Sequence, residues 1–148
     1  MLKYIAHIGL TVSNLERSIQ FYQNVLGLDY QGQMQMSGNS SDALFQKENC
    51  KARVAYLKSK DTDVLIELIA FESHEVELDQ TNLFRTSISE ICFGCDDIDT
   101  EYKRLKGMGV QFLSSPQTFD STSYGFGKSR AVYFYDPDGN ILEMIQSL

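Results

Sequence analysis

Residues 7–22, HIGLTVSNLERSIQFY, are repeated in kind by residues 90–105, EICFGCDDIDTEYKRL, at an offset of 90 − 7 = 83. At that offset Leu15 falls on Ile98, Ile19 on Tyr102 and Tyr22 on Leu105, so a strand and the apolar face of the helix after it superpose together. A second match follows in each half: Glu67 in VLIELIAF and Glu143 in NILEMIQ, at 143 − 67 = 76. A duplication of this kind constrains the architecture before any single residue is interpreted. Four polar residues, His7, Glu67, Glu90 and Glu143, therefore stand at matched places, each in a segment that otherwise reads as an apolar strand. Such placement points to one polar site, most simply a metal site.

Working outward, residues 4–12 read as a strand with His7, Gly9 and Thr11 on one face and Ile8, Leu10 and Val12 on the face that meets the next helix. Ser13 or Asn14 caps that helix, Leu15, Ile19, Tyr22 and Leu26 form its apolar stripe, and Gly27 stops it. A short strand at 28–31 is expected, then a long loop or irregular strand over the polar stretch 32–50. Strands at 52–58 and 64–71 complete the half. After an acidic connector at 72–86 the pattern restarts. A strand at 87–95 leads to a helix capped by Asp96 or Asp97, carrying Ile98, Tyr102 and Leu105 and ended by Gly107 and Gly109. Residues 110–113 read as the matching strand, and 114–128 as a mobile rim or lid. Strands at 130–135 and 140–146 flank the turn Asp136-Pro137-Asp138-Gly139. Each half is thus β-α-β-β-β, and the fold class is α+β. The reading is one domain, residues 1–148, built of modules 1–71 and 87–148 with connector 72–86.

A chain of 148 residues buries roughly two-thirds of its unfolded surface as one unit and is too short for two large domains. A hydrophobic fraction of 43% with 22% charged residues fits a globular protein. The net charge of −7 disfavours nucleic acid and anionic membranes as partners, leaving small molecules or proteins. No segment approaches the roughly 20 apolar residues of a membrane helix. The first residues, MLKYIAHIGLTV, read as a strand rather than a signal peptide, so a cytoplasmic location is expected. Cys50, Cys92 and Cys95 form an odd set consistent with reduced thiols. Cys92 and Cys95 make a C-x-x-C, but three residues apart on a strand they point to opposite faces.

Glu67 has Leu65, Ile69 and Phe71 on its own strand face and Ile66, Leu68 and Ala70 on the other, and Glu143 lies between Ile141 and Ile145. An ionised carboxylate in such a place costs several kcal/mol unless it is paired or bound to metal. Arg53, Arg85 or Arg130 could satisfy these carboxylates, as could a solvent-lined opening. One imidazole with three carboxylates is otherwise a hard, oxygen-rich set suited to Mg, Mn, Fe(II), Co or Ni, with Zn also compatible. Three carboxylates around one divalent ion leave a surplus negative charge. A carboxylate displaced from the ion is a reasonable general base.

The whole pattern resembles the vicinal oxygen chelate superfamily, which includes glyoxalase I, methylmalonyl-CoA epimerase, extradiol dioxygenases and the fosfomycin and bleomycin resistance proteins. The resemblance rests on HIGLTVSNLERSIQFYQNVLGLDY, LIELIAF, EICFGCDDIDTEYKRLKGMGV and YFYDPDGNILEMI, and so runs over nearly the whole chain. It implies paired β-α-β-β-β modules whose sheets form a cup, with metal ligands on the first and last strands of each module. Those places hold His7, Glu67, Glu90 and Glu143. Glyoxalase I is the closest in pattern, although it has a histidine where this chain has Glu90. It also commonly carries an arginine for the glutathione carboxylate where this chain has Thr11. Arg53, Arg85, Lys128 and Arg130 are the remaining basic candidates for holding an anionic group.

The activity this resemblance implies is that of a divalent-metal-dependent lyase or isomerase. Its substrate would carry two neighbouring oxygens and pass through an enediolate-type intermediate. In the family the last-strand glutamate is the base, here Glu143, and Glu67 or Glu90 would return the proton. The alternative is a non-catalytic drug- or metabolite-binding protein of the bleomycin-resistance type. Its aromatic candidates are Phe45, Phe71, Phe93, Phe119 and Tyr124. A homodimer is the expected assembly.

Overall fold

A computed structural model describes residues 1, 3–78 and 82–148. It divides into two units, Met1–Leu78 and Asp79–Leu148.

In the first unit β1 (His7–Thr11) leads into α1 (Leu15–Gln20), which continues as a π-helical turn over Phe21–Val25. Asn14 caps the helix, its side-chain oxygen accepting the Arg17 backbone N–H at 2.9 Å. This satisfies one of the donors a helix start leaves open. Gly27 takes up φ 79, the left-handed turn that releases the chain after the helix. Then come β2 (Asp29–Met36), α2 (Asn39–Phe45), β3 (Ala52–Lys58) and β4 (Leu65–Phe71). They form a sheet in the order β1-β4-β3-β2, with β1 parallel to β4 and the other pairs antiparallel. Helix α1 lies on β3 and β4. There Leu15 and Tyr22 join Leu57, Ile66 and Leu68 in a buried layer, each fully buried aliphatic side chain contributing about 1.5–3 kcal/mol. The strand alternation of β1 follows from this, with Val12 buried just past its end while His7, Gly9 and Thr11 stay exposed.

The second unit repeats the order with β5 (Ile91–Gly94), α3 (Ile98–Gly107), β6 (Gln117–Asp120), a 3-10 turn (Thr122–Tyr124), β7 (Lys128–Tyr135) and β8 (Ile141–Ser147). Its sheet order is β5-β8-β7-β6, again with the first strand parallel to the last. Asp97 is the N-cap, accepting the N–H groups of Asp99 and Thr100, each at 3.1 Å. Between β7 and β8 the buried Asp136 carboxylate accepts the backbone N–H of Asp138 and of Asn140 at 2.9 Å, and Gly139 supplies φ 85. Among the described residues no helix is long and apolar enough to cross a membrane.

Three expectations need correction. The stretch 32–50, read as a long loop or irregular strand, is strand only at its start: β2 runs on to Met36, and Asn39–Phe45 is a helix. The polar composition of β2 is that of an edge strand exposed along most of its length, held by its ladder to β3 rather than by apolar side chains. Helix α2 is short and depends on local contacts. The Asp42 carboxylate accepts the N–H of Asn49 at 3.0 Å and of Cys50 at 2.8 Å, and Gln46 ends the helix with φ 52. In the second unit, residues 110–113 make only an isolated bridge, Phe112 with Phe134, and the strand beside β7 is Gln117–Asp120, inside the stretch read as a lid. Finally β5 begins at Ile91, so Glu90 sits just before a strand rather than within one.

Candidate functional site

In an antiparallel or parallel ladder, residues paired across strands share a face. In the first unit Gly9 pairs with Glu67, Thr11 with Ile69 and Tyr56 with Glu67, so His7, Gly9, Glu67 and Tyr56 lie on the face opposite helix α1. The Glu67 side chain is 12% exposed and the His7 side chain 47%, with His7 Nε2 3.8 Å from Glu67 Oε1. Tyr56 is the cross-strand neighbour of Glu67. Interaction with the Glu67 carboxylate, then burial, pushes the Tyr56 phenol up to about 12. The Tyr56 ring also stands edge-on to His7, with centroids 6.3 Å apart. Gly9 leaves space over the carboxylate: a Cβ there would lie 3.4 Å from Glu67 Oε1.

The second unit reproduces the arrangement with other chemistry. Glu90 is half-buried before β5, Cys92 pairs with Glu143, and Tyr133 pairs with Glu143 from the other side. Cys92 lies beside Glu143 across the strand pair. Burial, then the neighbouring carboxylates of Glu143 and Glu90, pushes that thiol up to about 12. The Tyr133 phenol is raised by burial first, then by Glu90, Glu143 and Cys92.

Tyr56, Tyr133 and Cys92 are therefore neighbours of the glutamates that sequence reading passed over. Their signal was present. Tyr56 maps onto Tyr133 at 133 − 56 = 77, beside the offset of 76 for the glutamates, and Cys92 takes the place of Gly9 at 92 − 9 = 83.

The same register removes two basic residues from this face. Arg53 pairs with Ala70 and Arg130 with Gln146, on the helix side of each sheet. Arg53 is bound to Glu16 of α1, and its Nε lies 2.7 Å from Glu72 Oε1. Arg130 holds Asp99 of α3 at 2.5 Å and 2.9 Å. The two pairs are one feature repeated, since Glu16 falls on Asp99 at 99 − 16 = 83. Each arginine holds its partner carboxyl below the usual range through the hydrogen bond. Lys128 lies 3.1 Å from Asp120. Arg85 is exposed and belongs to no helix or strand. Arg53 and Arg130 thus serve the helix starts, and Glu67 meets His7 and Tyr56 instead.

The aromatic candidates also separate by face. Phe71 shares the face of Glu67 and meets Phe45 of α2 edge-on at 5.2 Å. Phe119 pairs with Ser129 on the Glu143 face and is 52% exposed. Phe93, paired with the buried Met144, lies on the helix side. Tyr124 is exposed in the 3-10 turn.

Donor atoms about 2.1 Å from one divalent ion stand about 3.0 Å apart when adjacent. The 3.8 Å between His7 and Glu67 fits two neighbouring positions after a small side-chain rotation. Among the described residues no group of three or more His, Cys, Asp and Glu side chains gathers that could hold an ion. The described residues therefore offer one donor pair, His7 with Glu67, and no complete metal site.

The family model described as Glyoxalase/Bleomycin resistance protein/Dioxygenase superfamily matches residues 4–144. The chain is 27% identical over 147 residues to the "Uncharacterized protein YwbC" of Bacillus subtilis (strain 168), spanning 99% of each. A glyoxalase family protein from Bacillus cereus has the same fold with TM-score 0.85 at 18% identity, over 100% of this chain and 96% of that one. The antibiotic binding protein TnmS3 from Streptomyces sp. CB03234 is similar with TM-score 0.64 at 19% identity, over 99% and 98%. At such identities these two structures speak to fold alone.

Proposed function

The chain belongs to the Glyoxalase/Bleomycin resistance protein/Dioxygenase superfamily, and from that premise we propose that it is a divalent-metal-dependent lyase or isomerase of the glyoxalase type. The substrate is a small molecule with two neighbouring oxygens. His7, Glu67, Glu90 and Glu143 would hold the ion. A bound divalent ion would draw negative charge onto the substrate's oxygens and so lower the cost of removing the neighbouring C–H proton. Glu143 takes that proton. Glu67, buried and flanked across the strand by Tyr56, stays in place. Glu90, half-buried at the start of β5, is placed to return a proton. The observation that supports this reading best is the duplicated pairing of a glutamate on the last strand of each unit with the edge strand that follows His7 or Glu90. A homodimer is part of the proposal.

The test is solvent-deuterium exchange into a panel of α-hydroxycarbonyl compounds, followed by NMR with divalent metal supplied. Exchange is expected beside the vicinal oxygens of at least one compound and is expected to vanish in Glu143→Ala. Absence of exchange throughout the panel in metal-loaded wild-type protein would sink the catalytic reading.

A second reading, small-molecule binding without turnover, draws on Thr11 and Glu90 as departures from the catalytic pattern and on the Phe45–Phe71 contact, whose Phe71 shares the sheet face of Glu67. Under it, ligand retention would survive His7→Ala and Glu143→Ala and fail in Phe71→Ala.

A further inference from the structure

After helix α3 the second unit departs from the first. In the first unit the chain runs from Gly27 straight into β2, which pairs with β3 from Asp29 to Met36. In the second, Phe112 makes a single bridge with Phe134, held by Leu113 N–H to the Tyr133 carbonyl and Tyr135 N–H to the Gln111 carbonyl, each at 3.0 Å. The chain then leaves to form β6 at Gln117. Beside this short ladder lies an open cavity of about 390 Å³, lined by Tyr102, Lys106, Val110, Gln111, Phe112 and Ser114. Its size is within the roughly 300–1,000 Å³ of small-molecule sites. Phe134 pairs with Leu142 while Tyr133 pairs with Glu143, so the cavity lies on the helix side of the sheet, away from the Glu143 face.

The cavity carries an aromatic pair and a cation. The Tyr102 and Phe112 rings meet at 61° with centroids 4.6 Å apart, and Phe112 rests in turn on the buried Phe134 at 5.6 Å. A lysine in the last turn of a helix commonly serves the terminal carbonyls. Lys106 turns back instead: its Nζ lies 5.3 Å from the Tyr102 ring centroid and donates to the Tyr102 hydroxyl at 3.3 Å. An ammonium has three donors, which leaves two for a ligand. Neither residue is demanded by the module, since at 102 − 19 = 83 and 106 − 23 = 83 the first unit has Ile19 and Gln23 in their places. We infer that this cavity binds a small aromatic carboxylate, its ring against Tyr102 and Phe112 and its carboxylate on Lys106 Nζ. The charge-assisted bond supplies most of the affinity. Ring contact orients the ligand and separates it from a bare anion. The inference stands apart from metal binding and turnover at Glu143.

The test is NMR titration of the isotope-labelled full chain with benzoate, with benzamide and acetate as controls. Benzoate is expected to shift the backbone amides of Gln111, Phe112 and Ser114. It is expected to bind about 10-fold more tightly than benzamide, which keeps the ring and loses the charge. Acetate keeps the charge and loses the ring, and is expected to bind more weakly than benzoate. Lys106→Gln and Tyr102→Ile install the residues that the first unit already carries. Lys106→Gln is expected to lose about 10-fold in benzoate affinity, and Tyr102→Ile several-fold, with melting temperatures measured alongside. Lys106 is exposed, so Lys106→Gln decides the matter even where Tyr102→Ile fails to fold. Benzoate that leaves the cavity amides unshifted, equal affinity for benzoate and benzamide, or wild-type affinity in Lys106→Gln overturns the site. Acetate binding as tightly as benzoate overturns the aromatic class of ligand.

Discussion

Replacing Gly9 by alanine separates stability from function at this site. Gly9 sits in β1 with an ordinary negative φ, so alanine is compatible with the backbone. Its methyl would stand 3.4 Å from Glu67 Oε1 and 3.9 Å from Ile69 Cδ1, which is normal van der Waals contact and costs little in strain. Removing a glycine from the unfolded ensemble at a compatible position stabilises by about 0.4–1 kcal/mol. For a chain of this size that corresponds to a rise in melting temperature of about 1–4 °C. The same methyl occupies the approach to Oε1 and excludes water or an ion from that side. Divalent-metal affinity is therefore expected to fall by about an order of magnitude, on the scale at which neighbours of metal ligands act. Differential scanning calorimetry and Co(II) titration on one preparation read both quantities. An unchanged affinity alongside raised stability would refute the claim that the open face of Glu67 is used.

Other consequences follow from the same structure. The Ser18 hydroxyl is fully buried in α1 with no hydrogen-bond partner among the described residues. Ser18→Ala removes that penalty and favours the helix, so a gain of about 1 kcal/mol is expected by urea denaturation, and a loss of similar size would show the hydroxyl to be satisfied. Acid sensitivity has a definite sign. Glu16, Asp97, Asp99 and Asp120 are lowered in the folded chain from ordinary values of 4.5 for Glu and 3.8 for Asp, by bonds to Arg53, Thr100, Arg130 and Thr122 respectively. Their contribution is complete above those values and disappears as pH falls through the depressed ones, so the urea midpoint should decline between about pH 5 and about pH 3. Arg130→Met should flatten the part of that decline due to Asp99, and an unaltered profile would contradict the assignment.

The fold was largely legible because the duplication is written in apolar spacing. The stripe of Leu15 and Tyr22, and its counterpart of Ile98 and Leu105, became the buried faces of α1 and α3. Glycine, proline and capping residues marked the turns correctly at Gly27, Asn14, Asp97 and Asp136. What escaped was structure without apolar periodicity. The strand β2 is held by backbone pairing to β3, and α2 by one aspartate and a left-handed end, neither of which leaves a hydrophobic signature. At the site, His7 and Glu67 were found as titratable residues in apolar strands, and they meet at 3.8 Å. Tyr56 and Cys92 were missed because a tyrosine or cysteine in a strand is unremarkable until the register shows which carboxylate it faces. Conversely, Arg53 and Arg130 looked available for an anion until the ladder placed them on the helix side.

The proposed function rests on divalent-ion binding through His7, Glu67, Glu90 and Glu143. Metal analysis after equilibrium dialysis against Co(II) tests it most directly. One ion per chain is expected for wild type, and the same ion should be lost in His7→Ala and in Glu143→Ala alike. No bound ion in wild type, or a full complement retained in either variant, would contradict the account.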